Sequence, residues 1–192
     1  EMYHQVLLNE QPDLQQGAFI IVLTAKGETP EEIAGSWDAI FELDTMKVSP
    51  LTPEPLVENC GTGMDELKTF NISTAAAIVA AANGIYMAKH GARALTSTCG
   101  AVDILEALGV DVEWDVDTVK RSIEKAGIGI FNGMSPMVHP QALGRILSQI
   151  RFGTILNIAA SLANPALPRY GVRGVYSKRL TEPVARVMKE IG

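Results

Sequence analysis

From residue 56 onward, short apolar or β-branched runs alternate with segments that have a helical pattern, and this alternation constrains the fold more than any other feature of the chain. The runs are 56–57, 85–88, 128–131 and 174–176. Helices are predicted over 75–83, 100–108 and 118–126, and the glycine after each of them suits a helix C-cap. Such alternation is typical of an α/β fold with helices packed on a mainly parallel sheet.

The first 47 residues predict only helices. Thr29, Pro30 and Glu32 combine a capping box with proline at the first helical position, and apolar residues then recur on one helical face. Another helix is predicted over 14–25, and three prolines in 47–55 indicate a linker. We therefore expect a small all-helical domain over 1–47 and an α/β domain over 56–192. A helix predicted over 139–151 is expected to pack with the small domain, and the last helix is predicted from Thr181 onward.

Composition excludes several classes of protein. With 192 residues, 47% of them hydrophobic, the chain can bury a substantial core. A net charge of −6 argues against broad electrostatic binding to nucleic acid and leaves a small anionic ligand as the better fit. The longest apolar run, 75–82, is too short to cross a bilayer and predicts a buried helix, and no signal peptide precedes it. Two cysteines without zinc or disulfide spacing indicate reduced thiols in a cytoplasmic protein with no membrane partner.

Two polar, glycine-containing loops, 61–74 and 89–100, each lead into a predicted helix. The N–H groups and the dipole at a helix start favour an anion, so each loop is a candidate phosphate or pyrophosphate site. A plain tight turn before a capped helix explains the first loop equally well, and Lys89 and Arg93 are alternatively solvated charges. For His90 a structural role is as good an explanation as a functional one. No Ser/His/Asp or Cys/His arrangement is evident, so we predict no catalytic side chain.

The two loops, together with 26–35, 100–109 and 164–166, resemble the anthranilate phosphoribosyltransferase family. The resemblance runs in order along nearly the whole chain. It implies a small helical domain joined to a larger α/β domain like that of nucleoside phosphorylases, and a homodimer formed through the helical part. It also implies Mg²⁺-dependent transfer of phosphoribose from phosphoribosyl pyrophosphate (PRPP) to an aromatic amine, which is anthranilate or a related acceptor.

The resemblance also assigns roles to individual residues. The family's glycine-rich loop matches Gly61, Thr62, Gly63 and Asp65, and its segment for pyrophosphate and metal matches Thr69, Asn71, Ser73 and Thr74, with Ser73 as metal ligand. Lys89 matches a lysine that meets the phosphates, and Ser97 matches a phosphate-contacting serine beside which Thr96 keeps a hydroxyl. His90 and Ala92 fall on the side of the acceptor amine.

Some positions depart from the family pattern. Met64 replaces a glycine at a point of close backbone approach, and Ala92 replaces an asparagine. The arginine that binds the anthranilate carboxylate in the family, expected between 145 and 151, aligns with Leu147 or Ser148. The family's acidic pair for a second Mg²⁺ has no counterpart in these 192 residues, so we expect the chain to be incomplete and weak or inactive alone. Alternatives are a nucleoside phosphorylase-like enzyme and a non-catalytic ligand-binding homologue.

Overall fold

The computed structural model describes residues 1–65, 69–95, 97–150 and 152–192. Its helices are α1 (Met2–Leu7), α2 (Asp13–Lys26), α3 (Pro30–Leu43), α4 (Ile72–Ala82), α5 (Ala101–Ala107), α6 (Val116–Ala126), α7 (Leu143–Gln149), α8 (Ile155–Leu162) and α9 (Thr181–Glu190), with a 3-10 turn at Lys178–Leu180. Its strands are β1 (Val57–Gly61), β2 (Met87–Gly91), β3 (Ile128–Asn132) and β4 (Tyr170–Gly174).

The described strands form one parallel sheet in the order β3-β2-β1-β4. Phe131 packs with α6, whereas its neighbour Ile130 packs with α5. Since successive residues of a strand point to opposite faces, α5 and α6 cover the two faces of the sheet. The predicted α/β fold with a parallel sheet is therefore confirmed.

Six of the described helices share a large apolar core that is separate from the helices packed on the sheet. Helices α1, α2 and α3 contribute to it together with α7, α8 and α9. Helix α3 begins as predicted, since the Thr29 side chain accepts a hydrogen bond from the Glu32 N–H and the Glu32 carboxylate accepts one from the Thr29 N–H. The indole N–H of Trp37 donates to the carbonyl of Leu162, 3.0 Å away, which ties α3 to α8.

Several predicted boundaries are wrong, because distant contacts set them. The strand predicted at 174–176 lies at 170–174, where it pairs with β1 from Val57↔Tyr170 to Gly61↔Gly174. Helix α7 begins at Leu143 rather than at 139, because the buried carboxylate of Asp44 accepts hydrogen bonds from the N–H groups of residues 141–143. Helices α1 and α8 had no predicted counterpart.

Helix α4 is mostly exposed, so the prediction that the apolar run 75–82 forms a buried helix is wrong. It starts three residues earlier, and only Thr74 and Ala77 are buried. Ile78 and Val79 remain 43% and 62% exposed. The helix contacts the sheet through β1, β2 and β3.

None of the helices in the described ranges has the length and apolar character needed to span a bilayer.

Candidate functional site

A cavity of about 710 Å³ lies at the carboxyl ends of the strands. Its lining includes the last residues of three strands, Gly61, Gly91 and Gly174, and Gly133, which directly follows β3. In parallel α/β sheets this edge is the usual place for a ligand, because the loops after neighbouring strands converge there.

The sheet is open between β1 and β2 at the point where it faces this cavity. These strands share one register pair, Val57↔Met87, whereas β1–β4 and β2–β3 each share five. If the parallel ladder continued in this register, the His90 N–H would donate to the Asn59 carbonyl. Instead the Glu58 carboxylate accepts from the His90 N–H at 3.1 Å, and the Lys89 ammonium donates to the Asn59 carbonyl at 3.0 Å. Side chains therefore satisfy the backbone groups that the opening leaves unpaired.

Lys89 and His90 lie in strand β2 and not in a polar loop, so the predicted start of the second loop is wrong. They are 2% and 4% exposed. Burial lowers the pKa of Lys89, because desolvation outweighs the opposing effects of Cys60 and Glu58. Lys89 is thus a largely desolvated cation whose side chain lines the cavity.

The first loop brings free backbone N–H groups to the cavity. The Thr62 N–H donates to the carbonyl of Gly174 at 3.0 Å, which holds the start of the loop on β4. At the other end of the loop, Asn71 caps α4 without a side-chain hydrogen bond. The N–H groups of Ser73 and Thr74 have no acceptor within the described chain, and both residues line the cavity.

The second loop, 92–100, is closed by one carboxylate. Oδ2 of Asp103 accepts hydrogen bonds from the N–H groups of Ala94 and Gly100, both at 2.8 Å. Arg93 pairs with Glu106 at 2.7 Å and with Glu113 at 3.0 Å, so its guanidinium is engaged in the protein. Burial by itself raises the pKa of Asp103, but the two N–H groups and Arg93 outweigh it and hold the pKa below its ordinary value.

We expect Asp103→Ala to loosen this loop, because it removes two charge-assisted hydrogen bonds. Each of them stabilises the loop by no more than about 3 kcal/mol. Amide hydrogen exchange at Ala94 and Gly100 should become faster. Asp103→Asn is the matched control, since one amide oxygen still accepts both bonds. Because the folded pKa is depressed, the contribution of Asp103 is present at neutral pH and is lost as the pH falls through that pKa. Unchanged exchange in the alanine variant would contradict this role.

The structure places every predicted site residue that it describes on the wall of this cavity. They are Gly61, Thr62, Gly63, Asp65, Thr69, Asn71, Ser73, Thr74, Lys89, His90, Ala92 and Ser97. Thr96 lies outside the described residues.

Sequence reasoning missed two further segments of the wall. Helix α8 adds Asn157 and Ser161, and the segment after β4 adds Tyr176, Ser177 and Lys178. Neither segment has the glycine-rich polar pattern of the two loops. Only the tertiary fold brings them to the cavity, so no local signal in the sequence identifies them.

The described residues contain no group of three or more His, Cys, Asp or Glu side chains that could hold a metal ion. The Asp65 carboxylate and the Ser73 hydroxyl both lie on the cavity wall.

Known proteins share both parts of this fold. Residues 1–43 match the helical bundle domain of the glycosyl transferase family, and residues 53–192 match its α/β domain. An anthranilate phosphoribosyltransferase from Methanosarcina acetivorans is 42% identical over 188 residues, which are 97% of this chain and 50% of that protein.

Two solved structures are similar over nearly the whole chain. The anthranilate phosphoribosyltransferase of Thermus thermophilus has a TM-score of 0.88 and 33% identity over 100% of this chain and 57% of its own. The Saccharomyces cerevisiae enzyme in complex with PRPP and Mg has a TM-score of 0.78 and 26% identity over 96% of this chain and 54% of its own. The chain thus spans about half the length of the relatives that it matches.

Proposed function

Because the chain belongs to the glycosyl transferase family, in which it is similar to anthranilate phosphoribosyltransferases, we propose that it binds PRPP with Mg²⁺ and transfers phosphoribose to an aromatic amine. This is the reaction type of tryptophan biosynthesis. The observation that carries the proposal is the set of unpaired donors in the cavity, namely the Ser73 and Thr74 N–H groups, beside the Lys89 ammonium.

The diphosphate of PRPP fits these donors chemically. The two N–H groups stand at the start of α4, where the helix dipole adds positive potential. The Lys89 ammonium uses one of its three N–H groups on the Asn59 carbonyl, and burial strengthens its interaction with an anion. The exposed Lys178 adds a second positive charge on the cavity wall.

This chemistry needs no nucleophilic side chain. The amine nitrogen forms a bond to the anomeric carbon of the ribose while the bond from that carbon to the pyrophosphate oxygen breaks. The electron pair of the broken bond leaves with pyrophosphate, and one amine proton is released. Positioning of the two substrates and stabilisation of the leaving charge therefore account for catalysis.

The donors on the wall fit a magnesium ion that is bound together with the diphosphate. Mg²⁺ in phosphoryl sites keeps several waters and takes only one or two protein oxygens besides substrate phosphates. The Ser73 hydroxyl, which lines the cavity beside the unpaired N–H groups of Ser73 and Thr74, would be a protein ligand to it. When bound, the ion would neutralise part of the charge on pyrophosphate.

Titration calorimetry with PRPP and Mg²⁺ tests the proposal. We expect saturable heat with PRPP and a weaker response to inorganic phosphate alone. The absence of heat at millimolar PRPP contradicts the proposal, and release of free base from nucleoside plus phosphate would identify a phosphorylase instead.

We also propose that the chain divides into a helical part over 1–47 and an α/β part over 56–192. The protein is proposed to be cytoplasmic and to form a homodimer through the helical part. The exposed apolar side chains of α2 support this interface: Leu14 is 89% exposed, and Ile21 and Val22 are 49% and 63% exposed. Sedimentation equilibrium should give a dimer that Val22→Glu weakens.

The backbone of Met64 has a left-handed conformation, and this predicts that glycine at this position increases both stability and PRPP affinity. Its φ is 64°, directly after Gly63 at 68°. A left-handed conformation costs a residue with a side chain about 1–2 kcal/mol, whereas glycine costs about 0.5–1 kcal/mol through the unfolded chain. Met64→Gly should therefore stabilise the fold by up to about 1 kcal/mol. It should also raise the affinity for PRPP in calorimetry, because it opens the backbone to the ligand.

Leu167→Gly is the matched control for this substitution. Leu167 also has a positive φ, 42°, and is 54% exposed outside the cavity. It should gain a similar stability in denaturant melts and leave PRPP affinity unchanged. Lower affinity in the Met64 variant would show that the side chain assists binding.

A further inference from the structure

Two buried histidines from distant parts of the chain are in contact, and one of them, His90, lines the cavity. His90 is in β2 and His139 is in the turn before α7, and their Nε2 atoms lie 3.3 Å apart. Burial lowers the pKa of both rings, because desolvation opposes the charged form. Both imidazoles are therefore neutral at neutral pH, and a hydrogen bond between them requires one to donate and the other to accept.

The backbone around His139 decides the direction of this bond. Its Nδ1 lies within hydrogen-bond distance of the Asp44 carbonyl oxygen, which can only accept. The Thr45 hydroxyl, 3.4 Å from the same nitrogen, gives its own proton to the Ile40 carbonyl at 2.9 Å. The one proton of neutral His139 therefore sits on Nδ1, and its Nε2 carries a lone pair. His90 must then donate through its Nε2–H, which leaves a lone pair on its own Nδ1.

The packing around His90 closes the Nε2 edge of its ring. A Cβ on Gly133 would lie 2.5 Å from Nε2 of His90, so this edge of the ring is closed by Gly133 and His139. His90 lines the cavity, and no described group hydrogen-bonds to its Nδ1.

We propose that His139 is a positioning residue: anchored on the Asp44 carbonyl, it holds His90 as the Nε2–H tautomer, so that Nδ1 of His90 accepts a hydrogen bond from an N–H of the acceptor amine. This inference rests on the proposed function. The tautomer matters because the amine must keep its lone pair free to attack the anomeric carbon. A ring N–H at this point would bind that lone pair, whereas an acceptor binds the N–H and leaves the lone pair available.

Nitrogen NMR of the full chain with ¹⁵N-labelled histidine tests the tautomers directly, because protonated and unprotonated ring nitrogens have well-separated shifts. We expect a proton on Nδ1 of His139 and on Nε2 of His90. His4, the third histidine of the chain, serves as an internal reference. A proton on Nδ1 of His90 would overturn the inference.

Two substitutions at His139 separate positioning from packing. His139→Phe fills the space but accepts no hydrogen bond, so His90 should move its proton toward Nδ1, where the cavity offers water. His139→Gln keeps an acceptor oxygen and should preserve the Nε2–H form, as should the control His4→Phe. An unchanged His90 spectrum in the folded His139→Phe variant would overturn the inference, and the wild-type spectrum decides it if that variant does not fold.

Anthranilate tests the contact with the amine. In the wild type it should shift the Nδ1 resonance of His90 and leave His4 unmoved, and no shift up to the solubility limit of anthranilate would overturn that contact. The tautomers are read without PRPP, so the two proposals fail differently. Absence of PRPP binding with the expected tautomers contradicts the proposed function, whereas PRPP binding with the opposite tautomer contradicts this inference.

Discussion

Arg173→Leu should lower the free energy of unfolding by about 3–5 kcal/mol, the cost of leaving one partner of a buried ion pair uncompensated. Nη2 of Arg173 binds Oε2 of Glu58, and the two side chains are 8% and 0% exposed. The Glu58 carboxylate cannot reach water when its partner is lost, and its other oxygen is already bound to the His90 N–H. Chemical denaturation at neutral pH measures the loss.

Two variants show whether the loss comes from the buried charge. Adding Glu58→Gln to Arg173→Leu removes the carboxylate charge and should recover most of the stability. Arg186→Leu breaks the exposed pair with Glu182, whose side chains are 67% and 75% exposed, and should change the free energy of unfolding by less than about 1 kcal/mol. Equal losses for Arg173→Leu and Arg186→Leu would contradict the account.

This pair also marks the limit of what the sequence predicts. Local signals were sufficient for α3, whose capping box lies within four residues, and for α5 and α6, which end before glycines with positive φ. The two polar, glycine-containing loops at the cavity were predicted for the same reason. They are short segments in which glycine and polar residues indicate a loop without reference to distant parts of the chain.

Features made by distant residues left no such signal. Glu58 and Arg173 are 115 positions apart, and Asp44 lies 99 positions before Leu143, the first residue of α7. The exposure of α4 was missed because an apolar composition predicts burial only when another element covers the helix. The register of β4 depends on its pairing with β1. Sequence analysis therefore located the two loops at the cavity. The opening between β1 and β2, and the cavity wall formed by α8 and the segment after β4, depend on tertiary contacts that the sequence does not show.

The sequence also could not show that Lys89 is desolvated, and this leads to the second large prediction. Lys89→Met should weaken PRPP binding roughly 10- to 150-fold, because a charge-assisted hydrogen bond is worth about 1.5–3 kcal/mol. Calorimetry with Mg²⁺ present measures the loss. Lys125→Met is the matched control. Lys125 lies on α6 and does not line the cavity, so this variant should bind PRPP normally.

Stability should move differently from affinity in the Lys89→Met variant. Losing the charge-assisted bond to the Asn59 carbonyl costs about 1.5–3 kcal/mol, but removing a cation that burial disfavours offsets this. The pKa of Lys89 is lower in the folded chain than its ordinary value of 10.5. Between these two values the unfolded chain binds more protons than the folded chain. The free energy of unfolding of the wild type should therefore increase as the pH rises through this window. The methionine variant lacks that gain. Full PRPP affinity in Lys89→Met, with the pH-dependent gain abolished, would show that the buried ammonium serves only to fill the opening between β1 and β2.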